Sequence, residues 1–169
     1  GTKCLEKLNG MFAFAIYDIN SSEMFIARDR AGEKPLYYYR DHEKFVFASE
    51  LKSIIKTFDI KKEINKKALN QYFSLTYIPA PLTIFENIYK LEAGSFILYK
   101  EGKFNIERYW DIDSRKVDII YSYDECKRRL REALFNSVEQ KMISDVPLGA
   151  FLSGGIDSSL MVGIMSKLS

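Results

Sequence analysis

Four short apolar runs crowd the first 48 residues, with tight polar turns between them. Met11–Tyr17 is apolar at every position, which predicts a strand buried on both faces. Phe25–Ala27, Leu36–Tyr39 and Phe45–Ala48 are strand-length runs rich in aromatic residues. With Ala31–Pro35 and Arg40–Lys44 as turns, the pattern predicts one antiparallel sheet holding all four. Ser49 then opens a short helix with Leu51, Ile54 and Ile55 as its buried stripe. A second helix starts at Asn65, a good N-cap, faces Leu69, Tyr72 and Phe73 inward, and ends before Pro79 and Pro81. Ser95–Leu98 and Phe104–Tyr109 read as a hairpin turning at Glu101-Gly102.

After Trp110 the pattern changes. Asp111–Asp118 is polar and charged, as a linker would be. Ser122-Tyr123-Asp124-Glu125 has the spacing of a capping box. Cys126, Leu130, Leu134, Val138 and Met142 recur every fourth residue on one face of a long helix. Val146–Leu152 reads as a buried strand, a Gly-rich turn follows, and Leu160, Met161, Ile164, Met165 and Leu168 mark a last helix. Helix, strand, turn and helix open a parallel α/β sheet, of which this stretch holds one strand.

Composition narrows the classes. At 169 residues there is room for one domain or parts of two. A hydrophobic fraction of 47% supplies a packed core, and a formal charge of +2 argues against nucleic acid or a membrane surface as partner. No apolar run approaches the roughly 18 residues of a spanning helix. Two separated cysteines and one histidine argue against a zinc site. Gly1–Glu6 lacks the apolar core of a signal peptide, so a reduced, cytoplasmic setting is expected. A first residue other than Met, followed at once by apolar sequence, is expected for a start inside a domain.

Ser153-Gly154-Gly155-Ile156-Asp157-Ser158-Ser159 carries the chemistry. Two glycines let successive N–H groups converge on one anion, and the following helix adds its free N–H groups and dipole. Ser153, Ser158 and Ser159 contribute neutral donors. Asp157 would repel a bare phosphate, so it makes sense with a bridging Mg²⁺. The loop has no Walker lysine. Cleavage between the α- and β-phosphates, releasing pyrophosphate, suits such a cradle. The competing reading is a plain strand-to-helix turn with Asp157 or Ser158 as N-cap.

This stretch resembles the pyrophosphate loop of the N-type ATP pyrophosphatases. Upstream, Gly10–Ala15, Ala27–Tyr38, Phe47–Lys52, the passage Ile88–Gly94 and Tyr109-Trp110 resemble glutamine-hydrolysing asparagine synthetase. The resemblance implies an α+β N-terminal-nucleophile (αββα) sandwich, its later half only, over residues 1–114. A linker at 115–121 and the first β-loop-α of a Rossmann-like α/β ATP pyrophosphatase domain over 122–169 would follow. It implies that glutamine is hydrolysed to ammonia at one site, and that aspartate is activated by MgATP as β-aspartyl-AMP at another. ATP and Mg²⁺ would be held by Leu152, Ser153, Gly154, Gly155, Ile156, Asp157, Ser158 and Ser159, with Asp157 toward the metal. The family's nucleophilic cysteine is an N-terminal residue, and Cys4 does not match it, so the chain reads as an internal fragment, inactive alone. A homodimer is one arrangement left open. Amidation of another carboxylate, or a non-catalytic assembly module, are the other readings.

Remaining charged residues read as structural. Arg28, Asp29, Arg30 and Lys34 form a cluster expected to be an ion-paired turn, with Glu50 and Lys52 in the same arrangement. His42 reads as a solvated loop residue. Lys127, Arg128, Arg129 and Arg131, interleaved with Glu125 and Glu132, read as a solvated helix face.

Overall fold

A computed structural model describes residues 1–57, 59–112 and 121–169. The chain divides into two compact units, 1–112 and 113–169. The expected linker falls almost wholly on residues 113–120, outside the described residues.

The first unit opens with α1 (Cys4–Lys7), followed by β1 (Ala13–Asp18), β2 (Glu23–Arg28), β3 (Tyr37–Arg40) and β4 (Phe45–Ala48). Then come α2 (Leu51–Thr57), α3 (Lys66–Leu75), β5 (Ile88–Lys90), β6 (Ser95–Lys100) and β7 (Lys103–Arg108). The strands form two antiparallel sheets, ordered β1-β2-β6-β7 and β4-β3-β5. The first four strands therefore do not share one sheet. The passage from β2 to β3 is bound up by Arg28 and Asp29, whose side chains gather backbone groups from Phe12, Gly32, Glu33, Lys34 and Leu91. That redirects the chain, and β3 pairs with β4 and β5 instead of β2.

Period-two alternation places the core. Ile26 of β2 and Ile97 of β6 meet Tyr38 of β3, along with Phe45 and Phe47 of β4, between the sheets. The alternate residues Phe25, Ala27 and Phe96 pack with Leu5 of α1. On the second sheet, Tyr39 and Ile88 pack with Ile54 of α2. The β6–β7 turn falls where expected, with Glu101 and Gly102 at φ 49° and 77°, the left-handed pair of a type I′ hairpin.

Two expectations in this unit are corrected. β1 is an edge strand whose residues beyond Phe14 are exposed, not a doubly buried one. In α3, Asn65 does cap the helix, accepting from Ala68 N at 2.9 Å, but Tyr72 is exposed and Phe73 is 76% exposed. The helix stops at a left-handed Thr76, before either proline.

The second unit holds α4 (Tyr123–Lys141) and α5 (Ile156–Leu168), which pack together through a short buried set that includes Val138 and Ile164. Ser122 caps α4 by accepting from Glu125 N. The strand expected at Val146–Leu152 is not formed. These residues find no ladder partner among the described residues, and Phe151 is fully exposed, at 101%. A parallel strand is held by neighbours on its edges, and without them the segment has no reason to be regular. No helix among the described residues is long and apolar enough to cross a membrane.

Candidate functional site

The loop Ser153–Ser159 leads from extended backbone into α5. Gly154 sits at φ 81°, and a Cβ there would meet nothing within 4 Å, so backbone conformation rather than space demands glycine. Gly155 is the N-cap of α5 and lends no side chain to it. Neither Asp157 nor Ser158 is the cap, which corrects the plain-turn reading: they are the second and third helical residues.

Hydroxyls brace the turn without capping a first-turn N–H. Ser158 Oγ donates to Gly155 O at 3.1 Å, and Ser153 Oγ lies 2.8 Å from Ser158 Oγ. Either hydroxyl can donate in that pair. Gly155 N in turn donates to Ser153 Oγ at 3.4 Å. Ser159 N makes the first intrahelical bond, to Gly155 O. The first-turn N–H groups of Ile156, Asp157 and Ser158 therefore have no intrahelical acceptor and face the positive end of the helix dipole.

The structure thus joins Ser153, Gly155, Ser158 and Ser159 in one hydrogen-bonded turn. Leu152 stands exposed at its approach and Ile156 is 87% exposed at its start. Sequence reasoning assigned the serines to a ligand and missed their bond to each other; the signal was their five-residue separation across a Gly-Gly turn. As a metal site the loop offers one carboxylate, Asp157. Among the described residues no group of three His, Cys, Asp or Glu could hold an ion. One carboxylate fits Mg²⁺ bridged through phosphate oxygens and water, not a protein-only cage.

Other charged groups serve the scaffold. Among the described residues the Arg28–Lys34 cluster forms no ion pair. The Arg28 guanidinium donates to the carbonyls of Lys34, Leu91 and Gly32, and Arg30 donates to those of Leu8, Leu5 and Glu6. Asp29, 1% exposed, accepts from the amides of Phe12, Glu33 and Lys34. Burial lowers the Arg28 pKa. It would raise that of Asp29, but backbone N–H groups led by Lys34 and Glu33 outweigh it and hold the carboxyl below its ordinary range. Glu50 pairs with Lys52 at 2.6 Å, apart from this cluster. On α4, Arg128 and Arg129 pair with Glu125, whose carboxyl they pull down to about 2, and Arg128 also reaches Glu132.

Residues 1–110 match the glutamine amidotransferase domain family, and residues 129–169 match the asparagine synthase family. Glutamine-hydrolysing asparagine synthetase 1 of Bacillus subtilis is 41% identical over 163 residues, which is 95% of this chain and 25% of that protein. Glutamine-hydrolysing asparagine synthetase B of Escherichia coli is 34% identical over 99% of this chain and 25% of its own length. A protein named amidase chry2, of Gibberella zeae, is 32% identical over 99% of this chain and 25% of its own. The chain spans about a quarter of the length of these relatives.

Proposed function

The chain belongs to the glutamine amidotransferase domain family across residues 1–110, and from that premise we propose that the full-length protein makes asparagine from aspartate, glutamine and ATP. The aspartate side-chain carboxylate attacks the α-phosphorus, pyrophosphate leaves, and ammonia from glutamine then displaces AMP from β-aspartyl-AMP. Glutamate, AMP and pyrophosphate are the other products.

The loop at the start of α5 is the observation that carries this reading. Its first-turn amides, which have no intrahelical acceptor, would hold the β- and γ-phosphates as they become pyrophosphate, and the Ser153 and Ser158 hydroxyls and the Gly155 N–H would exchange their bonds within the turn for bonds to the phosphates. Leu152, Gly154, Ile156 and Ser159 shape the approach. Asp157 would hold Mg²⁺ through those phosphates, and the ion would neutralise charge on the leaving group. Residues 1–114 are assigned to the later half of an N-terminal-nucleophile sandwich, supported by two stacked antiparallel sheets with α1 and α2 on their outer faces. Residues 115–121 are assigned as linker, and 122–169 as the opening of a Rossmann-like domain. The cytoplasm is the assigned setting, and the 169-residue chain alone is assigned neither half-reaction.

The test is the full-length protein with ATP, glutamine and aspartate. AMP and pyrophosphate formed in step with asparagine, and only with aspartate present, are expected. Pyrophosphate released equally without aspartate would sink the proposal. Amidation of a different carboxylate is a second reading, which the same assay with other acids distinguishes.

A further inference from the structure

Between α4 and α5 runs a groove of 420 Å³. Leu130 and Leu134 form one wall, Leu160 and Ile164 the other. Leu130 is 62% exposed although it lies on the apolar face of its helix. The rim is cationic, with Lys127 and Arg131 on one side and Lys167 on the other. None of these three has an ion pair among the described residues, and the Arg131 guanidinium lies 5.6 Å from the Phe135 ring centroid. The contrast with the same helix is direct: Arg128 and Arg129, off the groove, are both paired with glutamates. Glu125 and Glu132 of α4 thus serve Arg128 and Arg129, and the groove's cations have no ion pair among the described residues.

Aliphatic walls call for aliphatic side chains, and an unpaired cationic rim calls for carboxylates. A second copy of the chain supplies the first but not the second: two such grooves face to face would set three cations against three. Nucleic acid supplies anionic phosphates for the rim but no aliphatic surface for the walls. An amphipathic helix with apolar residues one turn apart and Asp or Glu beside them supplies both. The relatives run about four times the length of this chain, and the helices flanking the groove lie in and beside the asparagine synthase match.

We infer that this groove seats an acidic amphipathic helix contributed by the asparagine synthase part of the same full-length protein. The inference rests on the family reading proposed above. The occupant's apolar stripe covers Leu130, Leu134, Leu160 and Ile164, and its carboxylates meet Lys127, Arg131 and Lys167. Docked there, it holds α5, and with α5 the loop at its start.

Gly163 gives the test. It lines the groove, and a Cβ at this position meets nothing within 4 Å, so Gly163→Cys places a thiol at the groove without a clash at its Cβ. Maleimide labelling at residue 163 is read by peptide mass spectrometry in the 169-residue chain and in the full-length protein. Labelling at least ~10-fold slower in the full-length protein is expected, as for a site that reacts only when its cover opens. Lys127→Glu combined with Lys167→Glu should restore fast labelling there. Equal rates in the two proteins would overturn the inference. So would slow labelling of the 169-residue chain that deepens with its concentration, the mark of a second copy. Protection that survives charge reversal would overturn the acidic character of the occupant. Amide exchange of α4 and α5 in the unsubstituted proteins repeats the comparison without a variant. Aspartate-dependent pyrophosphate release is scored separately on the wild type. Its loss with labelling protection intact would fault the catalytic reading alone, and exposed labelling with release intact would fault the groove alone.

Discussion

Replacing Asp29 by Asn tests the claim that this carboxylate organises the first unit. The side chains are nearly isosteric, so packing is retained. Oδ1 accepts from Glu33 N at 3.0 Å, and Oδ2 accepts from Lys34 N at 3.0 Å and Phe12 N at 3.3 Å. An amide presents one oxygen and one NH₂, so in either flip at least one backbone N–H faces a donor. A hydrogen bond to a charged group contributes about 1.5–3 kcal/mol, and leaving a donor unsatisfied costs about 1–3 kcal/mol. Glu33 and Lys34 lie at the surface, where water partly relieves the loss. A net cost of about 2–4 kcal/mol follows, which at a urea slope of about 2 kcal/mol/M lowers the midpoint by about 1–2 M. Trp110, the single tryptophan, lies in this unit and donates its backbone N–H to Gly94 O, so its fluorescence follows this unit and not the other. Asp18→Asn is the control: Asp18 also accepts two backbone N–H bonds, from Asn20 and Ser21, but at an exposed turn. A midpoint for Asp29→Asn no lower than that of the control would refute the reasoning.

Acid should weaken the same unit in a way Asp29→Asn abolishes in part. The folded carboxyl has a pKa below its unfolded value of about 3.9, so its contribution is complete above that pH and fades as pH falls through the folded value. Urea midpoints from pH 7 down to pH 3 should therefore fall less steeply in the variant. Gly94→Ala should cost about 3 kcal/mol or more by the same fluorescence assay. Alanine is strained by about 1–2 kcal/mol at φ 62°, and its Cβ would clash with the Trp110 backbone carbonyl oxygen. In the full-length protein Asp157→Ala should abolish pyrophosphate release and spare glutamine hydrolysis, measured as glutamate formed. Retained asparagine synthesis in that variant would remove the role given to Asp157.

What could be read from sequence was local. Phe25–Ala27, Leu36–Tyr39 and Phe45–Ala48 became strands because alternation and turn residues are properties of a few neighbours. Glu101-Gly102 became a type I′ turn for the same reason. β5 escaped notice because Ile88–Lys90 is three residues long and draws its regularity from pairing with β3. The Arg28–Lys34 cluster was legible as charge but not as function. Charges adjacent in sequence suggest ion pairs, whereas here Arg28, Asp29 and Arg30 bind backbone groups, among them ones brought in from residues 5 to 12 and from residue 91. The loop Ser153–Ser159 was legible as a Gly-rich turn into a helix, though not in its cap or in the bond between its serines. A glycine at positive φ, a helix start and hydroxyls five residues apart are contained within seven residues.

Burial was less legible than strand or turn, for one physical reason. An apolar face states that cover is needed, but cover is a relation between two surfaces and only one is written in the segment. Ile16 and Tyr17, Tyr72 and Phe73, and Phe151 all lie in runs whose pattern called for burial, and all are exposed. The α4–α5 groove shows the same limit from the opposite side. Leu130 and Leu134 were correctly placed on one face of a helix by their four-residue spacing. That Leu160 and Ile164 stand across from them, with three cations around the gap that have no ion pair among the described residues, belongs to the pair of helices and to neither sequence alone. The unpaired charge adds information that hydrophobicity lacks. Apolar area specifies only that something covers the groove, whereas Lys127, Arg131 and Lys167 specify the sign of what does.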